Sequence, residues 1–244
     1  MASTSSTATL IINALAKQGI NNTYVQAGIV GKVGQETGYV PKAEYSYKNT
    51  PNANLRQIFG SRIAKYSDAQ LTALKANDVA FFDAIYGGQY GNTSAGDGYK
   101  YRGRGFNQIT FKSAYQKYGS AIGVDLVSNP DLLNDPATAA AACAVYFADT
   151  FKTAKANGTL KSKLGINDLS EIKDFDNGAK AAVQANAGFA TDTTTPFFQN
   201  VYAEVMSNIN SLYDTLKHNP GKTLGGIAAA AAIFFLGYQL FKTN

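Results

Sequence analysis

The stretch Gly34-Gln35-Glu36-Thr37-Gly38-Tyr39-Val40-Pro41-Lys42-Ala43-Glu44-Tyr45-Ser46-Tyr47 decides how this chain is read. Val25, Ile29, Val30 and Val33 recur at helical spacing and lead straight into Glu36, so the pattern predicts a helix ending there. Gly38 and Pro41 stop it, because glycine accepts the left-handed C-cap and proline cannot continue the ladder. In uninterrupted helix, Glu36 and Glu44 would lie about 12 Å apart along the axis. The break instead lets the chain turn and carry Glu44 back across a groove from Glu36. A surface turn with incidental charges is the alternative at this stage.

Working outward, the apolar spacing stays mostly helical. Leu10, Ile11, Leu15 and Ala16 form a stripe behind a Ser/Thr-rich cap, which fits an amphipathic helix better than a signal peptide. Helices are expected over 54–59, followed by a break over 61–66, then after Ser67, over 78–86 closed by Gly87-Gly88, and over 110–118. Asn129-Pro130 reads as a turn. Pro136 opens an Ala-rich helix to about Lys155 that must pack closely, and Pro196 opens another to about Lys217. Residues 157–178 read as polar and irregular, followed by a short helix over 179–185 that Asn186-Ala187-Gly188 breaks. Residues 89–105, rich in Gly, Tyr, Asn and Ser, read as a long loop or tight hairpin of the functional kind. No run of strands is visible, so the fold class is mainly α.

Composition excludes several chemistries. The single histidine is His218 and the single cysteine Cys143, so neither a zinc site of the His/Cys kind nor a Ser-His-Asp or Cys-His apparatus is expected. No metal and no cofactor are implied. Cys143 reads as a small buried residue on a helix. If the chain is a hydrolase, carboxylates must supply its acid–base chemistry. Residues 1–120 carry 13 Lys/Arg against 6 Asp/Glu, whereas 121–244 carry 9 against 11. The basic half favours an anionic partner. No basic run or nucleic-acid-binding motif accompanies it, so no nucleic-acid partner is expected, although the charge balance alone fits nucleic acid, an acidic polymer such as cell wall, or a mildly basic surface with no such partner.

The C-terminal part differs from the rest. After a Pro-Gly hinge at 218–222, residues 223–241 carry no charge, and as a helix they would span about 28 Å against a hydrocarbon core of ~30 Å. Tyr238 and the flanking lysines suit interfacial positions. A transmembrane anchor is expected, with a buried packing helix as the alternative.

Hydrolysis of a glycosidic bond by inversion needs a proton donor for the leaving oxygen and a base for water on the opposite face. Glu36, at the end of an apolar helix, is expected to be buried and protonated; Glu44, in a tyrosine-rich loop, ionised. In the segment 97–110, glycines permit close backbone approach, tyrosines offer faces to sugar rings, and Gln108 and Thr110 offer hydrogen bonds.

Taken together, ETGYVPKAEYSY, LRQIFGSRIAKY, GDGYKYRGRGFNQITFKSAYQKYG, GVDLVSNPDLLNDPATAAAACAVYF and AVQANAGFATDTTTPFFQNVY resemble glycoside hydrolase family 19 in order, across about residues 8–215. The likeness is to the phage endolysin branch. It implies a lysozyme-like, two-lobed helical domain over 1–217 with a central cleft. Glu36 then matches the general acid, Glu44 the general base, and Thr110 the hydroxyl that helps hold the attacking water. Tyr101, Gln108 and Asn186 match substrate-binding positions, and Arg104 a structural one. Gln35 stands where the family often has His, and Asn186-Ala187-Gly188 replaces Asn-Gly-Gly. The substrate implied is the glycan of peptidoglycan, cleaved by an enzyme tethered in the membrane of a membrane-containing virion or in the host inner membrane, with other virion proteins as further partners. A chitinase and a non-catalytic wall-binding virion protein are the competing readings.

Overall fold

The computed structural model describes residues 4–218. The 223–241 segment and the hinge beyond His218 lie outside the described residues, and among those described no helix is long and apolar enough to cross a membrane. The described chain is mainly helical. Its only β feature is an isolated antiparallel bridge between Arg104 and Ile109. It divides into two compact units, one made of the residues up to Val40 together with those from Pro136 onward, the other of Pro41–Asp135.

In the first unit, α1 (Thr4–Lys17) packs on α8 (Pro136–Ala156), and α2 (Thr23–Thr37) packs on α10 (Phe175–Asn186) and α11 (Pro196–His218). Asn22 caps α2: its Oδ1 accepts from the amides of Tyr24 and Val25, while its Nδ2 donates to the carbonyls of Leu169 and Ile172. Val25, Ile29 and Val30 are fully buried. The α2–α10 crossing is closer than side chains allow. A Cβ on Gly28 would lie 2.2 Å from the carbonyl oxygen of Gly178, and one on Gly178 would lie 2.2 Å from that of Tyr24. Two glycines therefore let the backbones touch, and Ala27, Ala179 and Val183 close over the contact with Phe198 and Val205. The Ala-rich α8 packs as expected, burying Ala139, Ala140, Ala142, Cys143 and Ala144. Burial pushes the Cys143 thiol far up, so it stays an inert apolar group.

The second unit holds α3 (Asn52–Phe59), α4 (Asp68–Lys75), α5 (Asp78–Tyr86), α6 (Asp97–Lys100) and α7 (Lys112–Ile122). Its core is aromatic: Phe59, Phe81, Phe82 and Tyr86 gather with Leu55, Ile63, Leu71 and Ile85. The Gly-rich segment after α5 is tied down by carboxylate and amide side chains. Asp83 accepts from the amides of Gly96 (2.5 Å) and Gly98 (2.8 Å), and buried Asn92 donates to the Tyr86 carbonyl and accepts from the Lys112 amide. Residues 104–109 then form the tight hairpin end. Arg104, 3% exposed, anchors it by donating to the carbonyl of Lys100 (2.7 Å), to the Tyr115 hydroxyl (2.9 Å) and to Asp131 (2.8 Å).

Three local expectations change. Residues 157–178 are not irregular: α9 (Thr159–Leu164) lies there, bounded by left-handed Gly158 and Gly165, followed by a 3-10 turn at Leu169–Glu171. α10 starts at Phe175 rather than 179, because Asp174 accepts from the Asn177 amide and supplies an N-cap within an otherwise charged stretch. α7 begins at Lys112 because Phe111, at φ 76°, cannot be helical.

Two outcomes check this packing. Gly28→Ala is expected to lower unfolding stability by about 3 kcal/mol in denaturant titration, because the new methyl meets backbone rather than a movable side chain. Asp131 is 78% exposed, so Asp131→Asn should cost no more than about 1 kcal/mol, whereas Arg104→Lys should cost about 2–4 kcal/mol by stripping buried hydrogen bonds. Equal costs for the two would contradict this assignment.

Candidate active site

Glu36 sits in the last turn of α2, before Gly38 closes the helix in the left-handed conformation (φ 60°). Tyr39, itself at φ 66°, folds back over Gly34; a Cβ there would lie 2.5 Å from the phenol. Burial pushes the Tyr39 phenol up to about 12, so it remains a neutral packing group. The burial expected for Glu36 is not found. Its side chain is 41% exposed, because this turn of α2 runs out of the packed layer. Its Oε1 accepts from the ammonium of Lys32, one turn earlier and almost fully buried, and from Asn186 Nδ2 at 3.4 Å. Lys32 also donates to Gln35 Oε1 at 2.5 Å, so Gln35 orients the lysine that faces the carboxyl. Asn186 closes α10, and its carbonyl accepts from the Tyr146 hydroxyl at 2.9 Å. The first unit thus brings together two residues expected at the site, Glu36 and Asn186. It adds Lys32, which sequence reading passed over although its (i, i+4) spacing to Glu36 was there to see.

Glu44 belongs to the second unit, and its surroundings consist of donors. Tyr47 donates to Oε1 at 2.9 Å, the Tyr86 hydroxyl lies 3.1 and 3.2 Å from the two carboxylate oxygens, and the Gly103 amide donates to Oε2 at 3.3 Å. Burial first, then the charge of Glu44 and the hydrogen bond to it, push both phenols far above their ordinary range, although Arg62 near the Tyr86 ring opposes this. Both therefore keep their protons and donate. The backbone is fixed as well. The Glu44 amide donates to the Gly103 carbonyl at 2.7 Å, and Arg102 Nε donates to the Glu44 carbonyl at 3.3 Å. Arg102 in turn lies over the Tyr99 ring, its guanidinium carbon 4.1 Å from the ring centre.

Gln108 and Thr110 lie in the same unit. Gln108, at φ 49°, donates through Nε2 to the carbonyls of Lys42 and Gly105, both at 3.1 Å, which ties the segment before Glu44 to the hairpin. Thr110 donates its hydroxyl proton to the Gln108 carbonyl at 2.9 Å, leaving its oxygen lone pairs to accept from water. Tyr101 does not present a face to a sugar: it is 1% exposed, donates to the Val127 carbonyl and packs on Tyr115. The exposed aromatic next to Glu44 is Tyr45, 67% exposed, with the Lys42 ammonium 5.1 Å from its ring centre.

Comparison with known proteins bears on this arrangement. A family model described as Chitinase class I, of glycoside hydrolase family 19, matches residues 80–162. That span contains Tyr86, Gly103, Gln108 and Thr110. Among curated proteins, Chitinase 2 of Oryza sativa subsp. japonica is 50% identical over 50 residues, covering 20% of this chain and 15% of that protein. Acidic endochitinase Q of Nicotiana tabacum is 46% identical over 48 residues, covering 20% of this chain and 19% of the tobacco protein. These plant alignments thus span less than a fifth of their relatives' own length. A glycosyl hydrolase family 19 domain-containing protein of Haemophilus influenzae is 29% identical over 161 residues, covering 63% of this chain and 75% of that protein. Over residues 80–162 the chain is thus similar to class I chitinases of glycoside hydrolase family 19, and over 63% of its length to a protein that carries a domain of that family.

Proposed function

We propose that this protein is a membrane-anchored peptidoglycan hydrolase that cleaves β-1,4 glycosidic bonds of the bacterial wall with inversion. The observation that carries the reading is the environment of Glu44: a carboxylate met only by donors is suited to accept a proton from water. One carboxylate has about four acceptor sites, and the contacts to Oε2, at 3.2 and 3.3 Å, are the longer ones, so that oxygen has capacity for a water. Thr110, its proton committed to Gln108, serves as acceptor for the second water hydrogen. Glu36 acts as the acid with its proton on Oε2, because Oε1 accepts from the Lys32 ammonium and from Asn186, which orient the carboxyl; that proton passes to the departing oxygen. Gln108 stands at the exposed edge of the hairpin to contact the glycan, and Tyr45 offers it an apolar face.

Two features favour wall glycan. The first 120 residues carry a positive excess, and peptidoglycan is polyanionic. Of the alignments described above, the one over 161 residues is with a bacterial protein. The charge-free residues 223–241 supply the anchor, in the membrane of a phage particle or the inner membrane of its host. A chitinase is the second reading, favoured by the names of the plant relatives. Both polymers share a β-1,4-linked N-acetylhexosamine backbone.

Incubation of the full chain with purified sacculi and, separately, with chitin oligosaccharides tests the assignment. Release of reducing ends from sacculi at a much higher rate is expected, and the reverse order would favour the chitinase. Glu36→Gln and Glu44→Gln are each expected to lower kcat by about 10²–10⁴-fold while circular dichroism stays unchanged. Retention of turnover in both would remove the enzyme assignment from these residues.

A further inference from the structure

We propose that Tyr47 and Tyr86 are positioning residues that form a two-phenol clamp on the Glu44 carboxylate, fixing its rotamer and keeping it an acceptor. The inference rests on the reading of Glu44 as the base. Its geometry lies wholly within the Pro41–Asp135 unit. The two hydroxyls converge on the same carboxylate, Tyr47 on Oε1 and Tyr86 across both oxygens, while the Gly103 amide approaches Oε2. A glutamate has three rotatable bonds, and donors converging on its oxygens leave one arrangement that satisfies them all.

The clamp is rigid because its rings belong to the core. The Tyr47 ring centre lies 5.1 Å from that of Phe59, 5.5 Å from Phe81 and 6.0 Å from Phe82. Tyr86, 7% exposed, stacks on Phe82 at 6.0 Å and meets the edge of Phe111 at 5.4 Å. Core packing at crystal-like density holds ring positions closely, so each hydroxyl is delivered from a fixed root. The two tyrosines reach Glu44 from different parts of the chain, Tyr47 from three residues downstream and Tyr86 from the end of α5. Neither phenol loses its proton near neutral pH, because burial and the neighbouring carboxylate hold both protonated and so able to donate.

The test uses full-length Tyr47→Phe, Tyr86→Phe, the double variant and Glu44→Gln, assayed on the better of the two glycan substrates. Each Phe variant keeps its ring and so its packing. The expected result is a fall in kcat of roughly 3–30-fold for each single variant and more for the double, with KM within about twofold of wild type. The sign of the pH effect follows from which form the donors favour. Removing hydrogen bonds to the charged form makes it harder to reach, so the acidic limb of the kcat profile moves to higher pH. A merely structural role would lower the melting temperature and leave that limb in place. Wild-type kcat with an unmoved limb in the double variant would overturn the clamp.

A second readout needs no catalysis. In an alkaline absorbance titration, the two clamped phenols ionise at lower pH in Glu44→Gln than in wild type, because the carboxylate's charge is gone; identical titrations would overturn the clamp. If Glu44→Gln turns over at the wild-type rate, the reading of Glu44 as base fails. The titration in that same variant still reports whether the phenols sense its charge, so the two failures are told apart.

Discussion

The exchange between Glu44 and Gly103 governs the second unit. The Glu44 amide donates to the Gly103 carbonyl, and the Gly103 amide returns a bond to the Glu44 carboxylate. Position 103 has no side chain, which leaves Gln108 and the Glu44 carboxylate room to lie close to its backbone. A Cβ there would lie 2.7 Å from Gln108 Oε1 and 3.4 Å from Glu44 Oε2. On either side stand two arginines with different tasks: Arg102 lies over Tyr99 and bonds the Glu44 carbonyl, while Arg104 is buried under the hairpin. The Arg102-Gly103-Arg104 run thus combines close approach with two guanidinium anchors. The aromatic core behind it supplies Tyr47 and Tyr86, so packing, backbone pairing and carboxylate chemistry meet at one side chain.

The first unit solves a different problem. α2 must carry Glu36 to an exposed end while most of its length is buried, and the paired glycines Gly28 and Gly178 let α10 come close enough to cover it. The same closeness brings Asn186, at the end of α10, within hydrogen-bonding range of the Glu36 carboxyl. A buried lysine one turn before Glu36 puts a fixed positive charge beside it. The environments of the two glutamates therefore differ in kind: neutral phenols and an amide around Glu44, an ammonium and a carboxamide beside Glu36.

What the sequence disclosed and what it hid follow from the range of the interactions. Gly38, Pro136, Pro196 and the Ser67 cap act on neighbouring backbone, so the boundaries they set were legible. α9 escaped notice because Leu160 is its only buried apolar residue and polar residues mask its period. Tyr101 was expected to offer its ring to a sugar, yet it is buried by Val127 and Tyr115, residues it meets only after folding. Glu36, Glu44, Gln108, Thr110 and Asn186 could be picked out by type and by likeness to a family. Tyr86 could not, because 42 residues separate it from the carboxylate it contacts. Burial of Glu36 was inferred from the apolar run before it, but helical periodicity says which face is buried and not where along the axis cover ends.

The claim that one glutamate protonates the leaving oxygen while the other draws a proton from water is tested most directly by the configuration of the first product. In proton NMR during the opening minutes of hydrolysis, before mutarotation, the account predicts that β-1,4-linked glycan yields the α-anomer at the new reducing end. Initial appearance of the β-anomer would mean retention through a covalent intermediate or substrate assistance, and would contradict the assignment of Glu44 as a base acting on water.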